Sequence, residues 1–145
     1  MAGSVLAICV GAEAVLAKQP VKRARFVADL GLEGDRHARG GPRQVSILDG
    51  SVVSALAAEG IHAAPGELGE NLLIEGTAVD ALGVGARLRV GTALLEITEV
   101  RQPCKQVRAL DPRALKALVG HAGRMARVLE TGEAGPGDVA ELVER

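Results

Sequence analysis

Arg87-Leu88-Arg89-Val90-Gly91-Thr92-Ala93-Leu94-Leu95-Glu96-Ile97-Thr98-Glu99-Val100 is the stretch that decides the fold. Its first four residues alternate polar and apolar, Gly91-Thr92 makes a tight connection, and an apolar run returns. That is the signature of a β-hairpin whose apolar side chains face one core. Outward from it, the same periodicity predicts strands at residues 5–10, 21–28, 45–48, 71–74, 87–90, 94–100, 125–129 and 139–143, most of them separated by glycine clusters. Two helices interrupt them. Residues 51–59 place Val52, Val53 and Leu56 on one face, with Gly60 as the stop. The second has Asp111 as N-cap, Pro112 at the first helical position, Leu115, Leu118 and Val119 at helical spacing, and Gly120 as the stop. Many short strands with few short helices predict a mostly β fold, a closed or nearly closed barrel rather than a doubly wound sheet.

A chain of 145 residues has the size of one domain, and no repeat, linker or low-complexity tract divides residues 1–145. Lys plus Arg number 17 against 18 Asp plus Glu, so no global field recruits nucleic acid or anionic lipid, and any anion site has to be local. One Phe, with no Tyr or Trp, leaves almost nothing for bases to stack on, which argues against a single-stranded nucleic-acid partner. The apolar residues 5–10 and Ala12-Glu13-Ala14 mimic a secretion signal, but no basic residue precedes the run and it is too short, so a first strand is the better reading. No run approaches the apolar length of a membrane-spanning helix. Two cysteines make no disulfide framework, and with the signal rejected they suggest a reducing cytoplasm.

Three segments carry candidate chemistry. In Gly34-Asp35-Arg36-His37-Ala38-Arg39-Gly40-Gly41-Pro42-Arg43-Gln44, glycines let backbone N–H groups converge while Arg36, Arg39 and Arg43 offer forked donors suited to phosphate. A solvated turn with arginines in water explains the same residues. In Arg101-Gln102-Pro103-Cys104-Lys105-Gln106, a thiol leaves a strand beside Arg101, Lys105 and Arg108, cations that can stabilise the reactive thiolate; inert filler is the alternative. Cys9, within Ala7-Ile8-Cys9-Val10, reads as a small buried hydrophobe. Pro65-Gly66-Glu67-Leu68-Gly69-Glu70-Asn71-Leu72 delivers an acid and an amide to a strand start, where Asn71 either reads a heterocycle edge or ties down its own turn.

Gly31-Leu32-Glu33-Gly34-Asp35-Arg36-His37, Arg43-Gln44-Val45-Ser46, the 65–72 segment and Arg101-Gln102-Pro103-Cys104-Lys105, in that order, resemble successive signatures of the MOSC domain, the C-terminal domain of molybdenum cofactor sulfurases. The likeness covers nearly the whole chain, with Arg39 an extra residue relative to the family pattern. It implies one MOSC-type β-barrel, a molybdopterin-type ligand and a cysteine that binds molybdenum or carries sulfur. By position, Cys104 would be the metal ligand, and Gly34, Arg36, Arg39, Arg43, Gln44, Ser46, Glu70, Asn71 and Lys105 would surround the cofactor. A soft thiolate suits such a metal, and the arginine-rich loop suits a phosphate.

Similar domains occur in reductases that remove oxygen from N-hydroxylated bases and amidines. On that reading Asp35 or His37 manages protons, a small N-hydroxylated compound is the substrate, and electrons come from a separate protein, because two cysteines supply no iron–sulfur pattern and no dinucleotide fingerprint is present. The alternative is a non-catalytic carrier in which Cys104 holds a persulfide or the cofactor for transfer to another protein. A cysteine hydrolase built from Cys104, His37 and Asp35 would need those groups to converge.

Overall fold

A computed structural model describes residues 3–13 and 15–143. Ala14 of the signal-like triplet, and the outermost residues of the predicted 1–145 domain, lie outside the described residues. The elements run β1 (Gly3–Val10), β2 (Gln19–Val21), β3 (Ala24–Val27), β4 (Gly31–Leu32), β5 (Val45–Asp49), α1 (Gly50–Ala58), β6 (Leu72–Glu75), β7 (Arg87–Val90), β8 (Ala93–Val100), α2 (Ala114–Leu118), β9 (Arg124–Glu130), β10 (Gly132–Ala134) and β11 (Val139–Val143). Short 3-10 turns occupy Val79–Ala81 and Lys105–Ala109.

The hairpin forms as its sequence requires. Gly91 adopts φ +56, a conformation open to glycine at little cost, and β7 and β8 pair Arg87 with Glu96 through Val90 with Ala93. From this hairpin the sheet continues β8-β9-β5-β6-β1 on one side and β7-β11 on the other, and β11 pairs with β1, closing a seven-stranded barrel. β2 extends β1 outside the ring, while β10, β3 and β4 make a separate small sheet. The one parallel pair in the ring, β5 with β6, is joined through α1. Asp49 caps α1 by accepting from the Ser51 N–H at 2.9 Å.

Strand alternation sorts the apolar residues into two clusters. Val5, Ile8, Val45, Ile47, Leu72, Ile74, Leu88, Leu95, Ile97 and Val128 fill the main core, with Phe26 and Leu32 of the small sheet joining it. Ala7, Cys9, Leu48, Leu73 and Leu68 face the second cluster, which Val52 and Leu56 of α1 and Leu118 of α2 complete. β1 serves both by alternation, with Ile8 in one cluster and Cys9 in the other, and a β-bulge between Val5 and Ala7 puts these two residues on opposite faces as well.

The predicted strand at 21–28 is two strands, β2 and β3, because the chain leaves one sheet for another at Lys22-Arg23. β4 and β10 escape periodicity because two or three residues hold no period. The second helix is shorter than its pattern predicts. Asp111 Oδ1 does accept from the Arg113 N–H at 2.8 Å, as a capping side chain would, but the helix ends at Leu118 and Val119 points to solvent.

Gly123 opens β9 at φ +89 and accepts from the Arg101 N–H at 3.1 Å. A Cβ there would collide with the Ile47 carbonyl. Gly123→Ala should therefore destabilise the barrel by more than the roughly 1–3 kcal/mol of a strained left-handed residue, measured as a shift in the urea midpoint. An unchanged midpoint would show that β9 and β5 relax apart freely.

Candidate functional site

The site is built on one buried carboxylate. Asp35 follows β4, and its side chain, shielded from solvent, gathers donors from three other segments. Oδ1 accepts from the Gly11 N–H at 2.9 Å, from Lys18 Nζ at 2.8 Å and from Asn71 Nδ2 at 3.0 Å. Oδ2 accepts from the His37 N–H at 3.1 Å, and His37 Nδ1 lies 3.2 Å away. Burial alone would raise the Asp35 pKa, but the hydrogen bonds from His37, Lys18 and Gly11 outweigh it and hold the carboxyl well below the usual carboxylate range. Lys18 is pulled the other way, its pKa lowered by burial despite the hydrogen bond and charge of Asp35.

Asn71 extends the network to the barrel wall. Its Nδ2 also donates to the Cys9 carbonyl at 3.0 Å, and its Oδ1 accepts from the Ser46 N–H at 3.0 Å. Ser46 Oγ donates to the Gly69 carbonyl at 3.2 Å. Every polar atom of the amide is thereby engaged with strand ends, so Asn71 joins β1 and β5 where β6 begins.

In front of this network lies a cavity of about 170 Å³ lined by Leu16, Lys18, Arg36, His37, Arg43, Ser46, Gly69, Arg101, Gln102, Cys104 and Met125. Of the residues singled out in the sequence, Arg36, His37, Arg43, Ser46, Arg101 and Cys104 line it. Asp35, Glu70 and Asn71 are buried outside its lining, and Gly34 lets the loop turn at φ +88. Gln44 is buried and bridges backbone, donating to the Gly41 carbonyl and accepting from the Val128 N–H. Arg39 is exposed, with Nε donating to the Arg36 carbonyl, and Lys105 is exposed in its 3-10 turn. Larger open grooves of about 500 Å³ lie elsewhere, but they lack this convergence of cations and thiol.

Lys18 had no local signal, whereas Arg101 stood out as a cation beside Cys104 and does share its cavity. Lys18 is buried by the turn from β1 to β2, which brings it to Asp35. Arg101 follows β8 and is anchored by Nη1 to the Ala122 carbonyl at 3.2 Å and Nη2 to the Leu68 carbonyl at 3.0 Å. Burial lowers its pKa, opposed by the charges of Glu70 and Cys104.

The two cysteines differ as chemistry requires. Cys9 is fully buried and its thiol is pushed up to about 12, first by burial and then by the charge of Glu70, so it stays protonated. Cys104 is half-buried on the pocket wall. Among the described residues Cys104 and His37 line the same cavity without a hydrogen bond between them, and no group of three His, Cys, Asp or Glu is placed to hold a metal ion. What the pocket brings together is four cationic side chains, Lys18, Arg36, Arg43 and Arg101, with the thiol of Cys104 and the thioether of Met125.

Because the folded pKa of Asp35 lies below its unfolded value near 4, its stabilisation is present above that pH and is lost as pH falls through the folded value. Asp35→Asn leaves Lys18 buried without a counter-charge, which should cost about 3–5 kcal/mol at pH 7 by urea denaturation. The difference from wild type should shrink at pH 3 and below. A difference independent of pH would mean that the carboxylate charge does not hold the site together.

Residues 34–141 match the MOSC domain family. A protein described as "Reductase" from Gibberella moniliformis is 39% identical over 85 residues, which are 55% of this chain but 15% of that protein, so this chain spans a small fraction of its relative. Among solved structures, YuaD from Bacillus subtilis superposes with a TM-score of 0.83 at 19% identity, covering 98% of this chain and 96% of the other. YiiM from Geobacillus stearothermophilus superposes with a TM-score of 0.80 at 24% identity, covering 99% and 76%. At these identities the two structures show the fold. With three quarters of the sequence in one family match and the barrel shared end to end, the chain belongs to the MOSC domain family.

Proposed function

We propose that this chain, acting as one MOSC domain, binds a molybdenum cofactor of the molybdopterin type and reduces small N-hydroxylated compounds. The observation that carries the reading is one cavity whose lining includes Cys104 together with Lys18, Arg36, Arg43 and Arg101. The fit can be tested against the pocket's own atoms. Arg36 Nε is buried with no hydrogen-bond partner, a donor suited to an anionic ligand. Gly69 leaves bare backbone on the wall, where a side chain would strike Leu16 and Arg101. Both features suit a phosphate-bearing ligand, and the Cys104 thiolate suits the soft metal that accompanies it.

Arg36, Arg101 and Lys18 would hold the anionic group, with Arg43 contributing less because it is exposed and lies 3.6 Å from Glu99. Cys104 would hold the metal. When bound, the cofactor supplies the two-electron redox centre for R–NHOH plus two electrons and two protons giving R–NH2 and water. His37 is oriented with Nδ1 against Asp35, which leaves Nε2 as the ring nitrogen to deliver a proton at the pocket. The cavity is smaller than the roughly 300 Å³ of common ligand sites, so only the metal and anionic end of the cofactor would be enclosed. Two cysteines, one of them buried in the core, provide no four-cysteine iron–sulfur pattern within residues 1–145, so electrons would come from outside this domain. The description of the fungal relative as a reductase agrees with this reading.

Cofactor-loaded protein supplied with a reduced dye should convert an N-hydroxylated base to the amine, and Cys104→Ser should fall to background. A charge-assisted contact contributes roughly 1.5–3 kcal/mol, so Arg36→Ala should weaken cofactor retention by about 10- to 150-fold. Arg43→Ala should weaken it less. Loaded protein that turns over no N-oxygenated compound with several donors, yet passes cofactor or sulfur to an acceptor protein, would establish the carrier reading in its place.

A further inference from the structure

Glu70 is almost completely buried, and the contacts described above give it no role. Its Oε2 accepts from the Gly66 N–H at 3.0 Å, but Oε1 is buried without a hydrogen-bond partner. A lone carboxylate oxygen in that setting is costly, and burial pushes the group above the usual carboxylate range. The cation that faces it is Arg101.

The turn between them is shared. Glu70 ties the Gly66 N–H, the Leu68 carbonyl receives Arg101 Nη2, and Gly69 at φ +83 packs so closely that a Cβ would come 2.8 Å from that nitrogen. Among the described residues the two charges do not meet as an ion pair, so they act on each other across the turn. The other titratable group whose charge couples to Glu70 is Cys9, which stays protonated.

We propose that Glu70 is a positioning residue for the anion site: it fixes the turn that holds Arg101 at the pocket wall, and its charge sets how strongly Arg101 attracts an anion. This rests on reading the pocket as an anion site, but not on molybdenum. When Glu70 is protonated the guanidinium acts on the pocket unopposed, and when it ionises part of that field is cancelled.

Sulfate serves as the probe, because its charge is constant across the neutral range, and its binding is read as protection of Cys104 from iodoacetamide. Histidine changes charge between pH 5 and 8, so both proteins compared carry His37→Gln. With Glu70 in place, sulfate affinity should fall with rising pH as Glu70 passes from protonated to ionised, a titration that burial places above the ordinary carboxylate range. With Glu70→Gln it should stay tight, leaving a difference on the order of 5- to 10-fold at pH 8. Arg101→Gln should abolish that difference. Parallel profiles, or a difference that survives Arg101→Gln, would overturn the proposal. Should Glu70→Gln fail to fold, Glu70→Ser in the His37→Gln background replaces it: loss of the decline with pH supports the proposal, and the same decline as with Glu70 in place, which would belong to the Cys104 thiol, overturns it. Absence of sulfate protection in every variant would remove the anion reading itself and this inference with it, whereas protection without any Glu70 effect removes only the inference.

Discussion

Everything at the pocket depends on the ion pair between Asp35 and Lys18, two groups that are only 6% and 3% exposed. An unpaired charge in that position would cost several kcal/mol, so each residue requires the other, and the carboxylate further requires the Gly11, His37 and Asn71 donors that complete its shell. These donors come from the end of β1, from the loop after β4 and from the start of β6. One buried carboxylate thus fixes the relative position of segments that pair with different strands, and the cavity is the space left in front of them. His37 is the member that reaches outward, so the interaction that orients the loop also orients the ring.

The barrel supplies the rigidity on which that network stands. Closure of β11 on β1 removes the sheet edges within the ring, and the two faces of β1 feed both apolar clusters. Ser46 and Asn71 sit where the parallel strands β5 and β6 begin, and their side chains bond the backbone groups that ladder pairing leaves open there. Buried polar groups of this kind are satisfied by strand ends rather than by water, which makes the pocket wall part of the core. Arg101 shows the same economy: two of its donors hold carbonyls of neighbouring turns, and the rest of the guanidinium forms wall.

How much of this was legible in the sequence depends on the range of the interaction involved. The hairpin was readable in full because Gly91-Thr92 and the alternation around it act within a dozen residues. The break at Lys22-Arg23 was not, since what divides that run is the pairing of β3 with β10, more than a hundred residues away in the chain. Arg36, His37, Arg43 and Cys104 stood out because cations and thiols cluster locally, and they do line one cavity. Lys18 gave no signal, because its environment is made by Asp35, 17 residues on, and by a turn that no residue pattern marks. Asn71 left two readings open, a ligand contact or a tie for its own turn; its side chain bonds Asp35, the Cys9 carbonyl and the Ser46 N–H, while Gln44 bridges the Gly41 carbonyl and the Val128 N–H, partners that only the folded chain brings together.

We propose that this basic pocket holds a molybdenum cofactor through Cys104. The molybdenum and pterin content of the protein purified from a host that makes the cofactor, side by side with Cys104→Ser, tests this directly. The wild type should contain metal and pterin in comparable amounts, with metal lost on removal of the thiol while the barrel stays folded. Wild-type protein free of molybdenum and pterin, or equal metal in the two proteins, would contradict it.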